Sequence, residues 1–163
     1  MTIAKGWFMA LAACAVASTA TAADKGCIVV QNVAEIEQTA TDAKGARTVK
    51  LVPAVKVLPG DTVIYTVKFR NVCDKPADNV SVDNPVPVHM AYVADSAIGP
   101  NTEISFSIDG GYTFAKPEAL RKKDADGTER AARASEYTNI RWVMRHPLAV
   151  GAEGYARFRA VLE

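Results

Sequence analysis

The residues best suited to chemistry in this chain are two histidine–methionine neighbourhoods, His89-Met90 and Met144-Arg145-His146. A copper centre of the electron-transfer kind combines two imidazoles with a thiolate and a weak axial thioether. His89, Met90 and His146 therefore define one candidate metal set. The clustered Cys, His and Met of a C-terminal ligand loop is missing, and Cys73 lies in another region, so surface loop histidines are the simpler expectation. Asp124-Ala125-Asp126-Gly127-Thr128-Glu129 offers a second candidate, for calcium. Calcium takes six to eight oxygens, and an EF-hand loop needs its glycine at the sixth position between two helices. Here the glycine follows Asp126 directly and helical flanks are lacking, which favours a solvated turn.

Covalent catalysis needs a nucleophile, a base beside it and a group that orients the base. Neither histidine stands in such a motif, and the chain has no Gly-x-Ser-x-Gly elbow, glycine-rich phosphate loop or His-x-x-x-His pair. A carboxylate pair could still form in space. Ser107-Ile108-Asp109-Gly110-Gly111-Tyr112-Thr113-Phe114 resembles the Asp-box hairpin of sialidase-type propellers. That motif builds a turn through Asp and hydroxyl contacts to backbone N–H groups, and so implies structure, not catalysis. The sequence thus points to a non-enzymatic protein with no cofactor.

The elements that would carry these residues are strands. After the Pro59-Gly60-Asp61 turn, Val63, Tyr65, Val67 and Phe69 fall on one face, with Thr66, Lys68 and Arg70 on the other. That period of two marks a strand with one buried face. The same alternation recurs at Ile104, Phe106 and Ile108, at Ile140, Trp142 and Met144, and at Ala156, Phe158, Ala160 and Leu162. Residues 28–38 read as a first strand with Ile28, Val30, Ala34 and Ile36 on one parity, followed by a turn over 39–47. Pro53 interrupts the next extended segment and suggests an edge position. Short strands are expected at 79–83 and 90–93, with Pro85 and Pro87 closing the former. Asp109-Gly110-Gly111 should turn a tight hairpin into Tyr112–Phe114. A small ribbon should form around Asp124–Gly127, then a helical turn capped by Ser135. About seven to nine short, mostly antiparallel strands without intervening helices define an all-β, immunoglobulin-like sandwich.

The N-terminus carries an export pattern. Lys5 precedes an apolar run from Gly6 to Ala17, and Ala20-Thr21-Ala22 fits the small-x-small cleavage rule, so cleavage is expected after Ala22 and residues 23–163 form the single mature domain. The apolar run is shorter than the roughly 20 residues a membrane-spanning helix needs. Leu11-Ala12-Ala13-Cys14 offers an alternative lipoprotein box with Cys14 acylated. The chain has 19 basic and 18 acidic residues, and losing Lys5 balances them. Such a balance offers no global attraction for nucleic acid. The destination expected is the periplasm, the cell surface or the medium. Oxidising surroundings and an even pair of mature cysteines predict a Cys27–Cys73 disulfide. Antiparallel pairing would support it, because Cys27 opens one strand and Cys73 closes another.

Pro59-Gly60-Asp61, Tyr65-Thr66-Val67, Asn71, Ala77, Asn79-Val80, Val82-Asp83 and Pro87 resemble the bacterial repeat family known as domain of unknown function eleven. Tyr92-Val93, Ser96-Ala97, Phe106–Gly111 and Ile140–Val143 continue the likeness to a stand-alone exported version. The resemblance implies an immunoglobulin-like domain of envelope or surface proteins. Cys73 stands where that pattern usually has glycine. Together these readings predict an exported structural or interaction domain that works through protein partners or self-association. Strands at sheet edges are its natural contacts, with Ile28–Gln38 as the strand-exchange segment. The alternative expectation is a periplasmic module binding a small ligand or copper or calcium through His89, Met90, His146, Asp124 and Asp126.

Overall fold

In the computed structural model, which describes residues 26–41 and 45–163, ten strands are joined by turns and two short 3₁₀ turns. The expected signal peptide, Cys14 and part of the first turn lie outside the described residues. The strands are β1 (Ile28–Thr41), β2 (Arg47–Pro53), β3 (Thr62–Asn71), β4 (Ser81–Pro85), β5 (Met90–Tyr92), β6 (Thr102–Ser107), β7 (Arg121–Lys123), β8 (Glu129–Ala131), β9 (Asn139–Met144) and β10 (Glu153–Leu162). One sheet has the order β2-β1-β3-β10-β5 and the other β4-β9-β6. Every ladder is antiparallel. The all-β sandwich expected from alternation is what the chain forms, with β7 and β8 as the small ribbon around Asp124–Gly127.

Alternating strands bury their apolar faces between the sheets. Val67, Phe106, Ile140, Trp142, Ala156, Phe158 and Ala160 form the main core with Tyr92, Leu120 and Tyr137. Rings link the layers: Tyr92 of β5 meets Phe106 of β6 at 5.3 Å, and Trp142 of β9 meets Phe158 of β10 at 6.3 Å. Such pairs add roughly 1 kcal/mol each beyond the area they bury. Phe69, Val80 and Leu148 make a second cluster at one end. Gly154 sits there because a Cβ would overlap the Phe69 ring.

The outer face of β3 departs from simple alternation. Thr66 lies on the same side as Lys68 and Arg70 but is buried, and so is Ile64. Arg157 on β10 lies opposite Thr66 and donates from Nε to its Oγ1 at 2.9 Å. Ile64 is flanked by Glu35 and Arg159. Long side chains can cover a sheet with their aliphatic stems while their charges stay in water.

Cys27 and Cys73 are bonded, with Cα atoms 5.1 Å apart and a sequence separation of 46. Strand pairing explains the bond: Ile28 lies opposite Asn71, and Val72 donates its N–H to the Cys27 carbonyl. A closed loop of that length stabilises by roughly 4 kcal/mol in the chain-entropy account. Beside it, the fully buried Asn71 donates to the Lys75 and Leu148 carbonyls and accepts from the Cys73 N–H. Two strand connections, β3–β4 and β9–β10, therefore meet at one satisfied side chain.

The turn leading into β3 follows its sequence. Leu58 accepts from the Asp61 N–H, Asp61 Oδ2 accepts from the Leu58 N–H, and Gly60 takes a φ of +92°. Proline then glycine at the centre is the type II pattern. Three local expectations need correction. Asp109–Gly111 does not start a two-strand hairpin: the chain returns by a single bridge between Phe106 and Ala115. The 3₁₀ turn Ala134–Glu136 is not capped by Ser135. Glu136 folds back to accept from the Arg133 N–H instead. β4 runs two residues later than expected, over Ser81–Pro85, with Pro85 closing it opposite Asn139.

Candidate functional site

The candidate metal ligands do not meet. His89 sits in the turn just before β5, beside the Leu162 end of β10, where its carbonyl accepts from the Glu163 N–H. His146 follows β9 at the opposite end, near Leu148 and Asn71. The length of β10 separates them, about 30 Å at strand rise. Asp124 is held by Arg130 Nε at 2.9 Å, and Asp126 accepts from the Thr128 N–H at 2.9 Å. That second hydrogen bond, chiefly, lowers the Asp126 pKa. Among the described residues no group of three or more His, Cys, Asp or Glu converges as a metal site.

The other charged features close on themselves. Glu136 receives both ends of Arg130 at 2.7 Å, together with Lys122 at 2.9 Å and the Arg133 N–H. The Arg130 contact, first, holds the Glu136 carboxyl far below the usual range, and Glu136 in turn raises the arginine. Asp109 accepts from Ser107 Oγ at 2.6 Å, from Thr113 Oγ1 and from the Tyr112 and Thr113 N–H groups. Ser107, the largest influence, and Thr113 hold its carboxyl well below the carboxylate norm. Gly110 and Gly111 take φ values of +80° and +91°, which the loop requires. This is turn architecture, as the sequence indicated.

A different feature remains open. β1 pairs with β3 from Ile28 to Ile36 but with β2 only from Glu35 onward. The Cys27 carbonyl bonds toward β3, and the Ala34 carbonyl bonds away from it to the Ala54 N–H. Alternation therefore turns the N–H and C=O groups of Ile28, Val30 and Asn32 away from β3. No described residue pairs with them. The strand-exchange segment of the sequence reading is thereby revised. Its second half, through Ala34 and Ile36, is tied to β2 and β3, and its start is pinned by the disulfide. What is exposed is an acceptor edge at Ile28–Val33, not a free donor strand.

The other edges are blunted. β2 carries Arg47, Lys50 and Pro53; β5 has three residues; β4 ends on Pro85. β6 is covered where Phe106 exchanges two hydrogen bonds with Ala115 and where Lys116 Nζ donates to the Ile104 carbonyl. Natural sheets protect edges by charge, proline, shortness or cover. Ile28–Val33 has none of these, and Val29 and Val30 are each 54% exposed.

Next to this edge, the outer sheet face forms a groove of ≈ 450 Å³ lined by Val29, Gln31, Lys68, Arg70, Tyr155 and Arg157, among others. Arg70 approaches only Glu153, at 3.7 Å, and both side chains are mostly in water. Such a pair contributes little. Sequence reasoning singled out Ile28–Gln38 as a strand donor but missed its open acceptor edge and the groove. The uncharged run Ile28-Val29-Val30-Gln31-Asn32-Val33-Ala34 was the one signal for the edge.

No protein-family model, curated protein or solved structure matches this chain.

Proposed function

We propose that this protein is an exported, non-enzymatic interaction domain of the bacterial cell envelope or surface, which contacts its partners by accepting a strand at the β1 edge. The disulfide fits an oxidising compartment. Among the described residues no helix is long and apolar enough to cross a membrane. The N-terminal cleavage pattern and the likeness to a family of envelope domains supply the rest of the location, within the periplasm, the cell surface or the medium.

The observation that carries the reading is the unprotected stretch Ile28–Val33, whose outward N–H and C=O groups have no described partner. Strand addition provides affinity through backbone hydrogen bonds and specificity through alternate side chains. A disulfide at the end of the edge holds it extended before a partner arrives, which lowers the ordering cost of binding. Selection of bound segments from a displayed peptide library tests this. Selected segments should slow amide exchange at Val30 and Asn32. Segments that bind while leaving those amides unchanged and protecting another surface would refute it.

A further inference from the structure

The two faces of the β1 edge differ, and the difference specifies what kind of strand fits there. On the inner side stand Val30, Asn32 and Ala34, all exposed and uncharged. The three-stranded sheet is narrower than the five-stranded one, so this border of the inner face is left without apolar cover. On the outer side stand Val29 and Gln31, and beyond them the groove.

Cations dominate that groove. Lys68 lies opposite Gln31, and Arg70 lies opposite Val29. No described group pairs with the Lys68 ammonium. Arg70 has only its long contact with Glu153. Arg157 uses Nε on Thr66, its guanidinium lies 5.5 Å from the Tyr155 ring centre, and its terminal nitrogens have no described hydrogen-bond partner. Glu153 is the one carboxylate in the lining. Glu35 stands in the row beyond it, and Glu37 is engaged by Arg159 at 2.6 Å.

A strand added to β1 would lie about 5 Å from it and about 10 Å from β3. Its side chains would alternate between the two faces. Long side chains reach diagonal neighbours across such spacings. Resting on the acceptor-edge reading above, we infer that the partner is an extended segment alternating apolar with carboxylate side chains. The apolar residues cover Val30 and Ala34, and the carboxylates reach over Gln31 and Val29 toward Lys68 and Arg70. Opposite charge at this border also sets which face of the incoming strand points outward, and so fixes its register by parity.

The test uses short synthetic peptides with alternating Val and Glu or alternating Val and Lys, titrated into mature protein at low and physiological salt. The expected result is that the Val–Glu peptide binds at least about tenfold more tightly, that salt narrows the gap, and that Val30 and Asn32 amides become protected. A Lys68→Glu, Arg70→Glu double variant with an unchanged melting temperature should reverse the order of the peptides. Equal binding of both peptides with the same amides protected would overturn the charge inference and leave the open edge standing. If neither peptide protects these amides in a monomeric protein, both readings fall. Protection of those amides by self-association alone would make a second copy the occupant and overturn the acidic segment.

Discussion

β6 and the first half of β1 are both borders of a sheet, and they are finished in opposite ways. The β6 border is closed by two backbone hydrogen bonds from Ala115 and by the Lys116 ammonium on the Ile104 carbonyl. The β1 border presents Ile28, Val30 and Asn32 with no described partner, on a stretch free of charge and proline. The same contrast separates two charged clusters. Arg130 is saturated by Asp124, Glu136 and the Ala131 carbonyl, whereas Lys68 and Arg70 across the groove hold donors in reserve. A closed cluster builds the fold. An open one beside an open edge is where a partner can gain something the monomer lacks.

Substitutions can break this comparison, beginning with the largest effect. Cys27→Ser should lower stability by about 4 kcal/mol and loosen the start of β1. Thermal denaturation of the oxidised and variant proteins measures it, and an unchanged melting temperature would deny that the staple holds the edge. Asn71→Ala comes next. It strands the Lys75 and Leu148 carbonyls and the Cys73 N–H in a buried setting, at a cost of about 3 kcal/mol by denaturant titration.

Acid should affect the closed clusters and spare the open groove. Glu136 and Asp109 have folded pKa values depressed below their ordinary ones. Such carboxylates contribute stability that is fully present above about pH 5 and is lost as pH falls through their folded values. Glu136→Gln should therefore flatten the acid limb of a melting-temperature profile, while Lys68→Gln leaves that limb unchanged. The smallest effect sharpens the comparison most. Val30→Lys should change stability by no more than about 0.5 kcal/mol, because the side chain is already half exposed, yet abolish strand addition by placing a charge on the edge.

Much of the sandwich was legible in the sequence. β3, β6, β9 and β10 alternate because each buries one face, and Pro53 ends an edge strand as its missing N–H predicts. The Cys27–Cys73 bond was legible from compartment and chain order. The burial of Ile64 and Thr66 was not, since it depends on Arg157 and Arg159 arriving from a strand some ninety residues later. Nor was the groove, whose Gln31, Lys68 and Tyr155 become neighbours only through the β1-β3-β10 register. His89 and His146 show the converse error: similar local surroundings suggested one site, and the topology put them at opposite ends.

The most direct test of the open edge is residue-resolved amide exchange on dilute, mature, monomeric protein. Val29, Gln31 and Val33 face β3 and should be protected, while Ile28, Val30 and Asn32 should exchange at nearly unprotected rates. Equal protection along all six amides would contradict the account, because it would mean that the β1 edge is already covered.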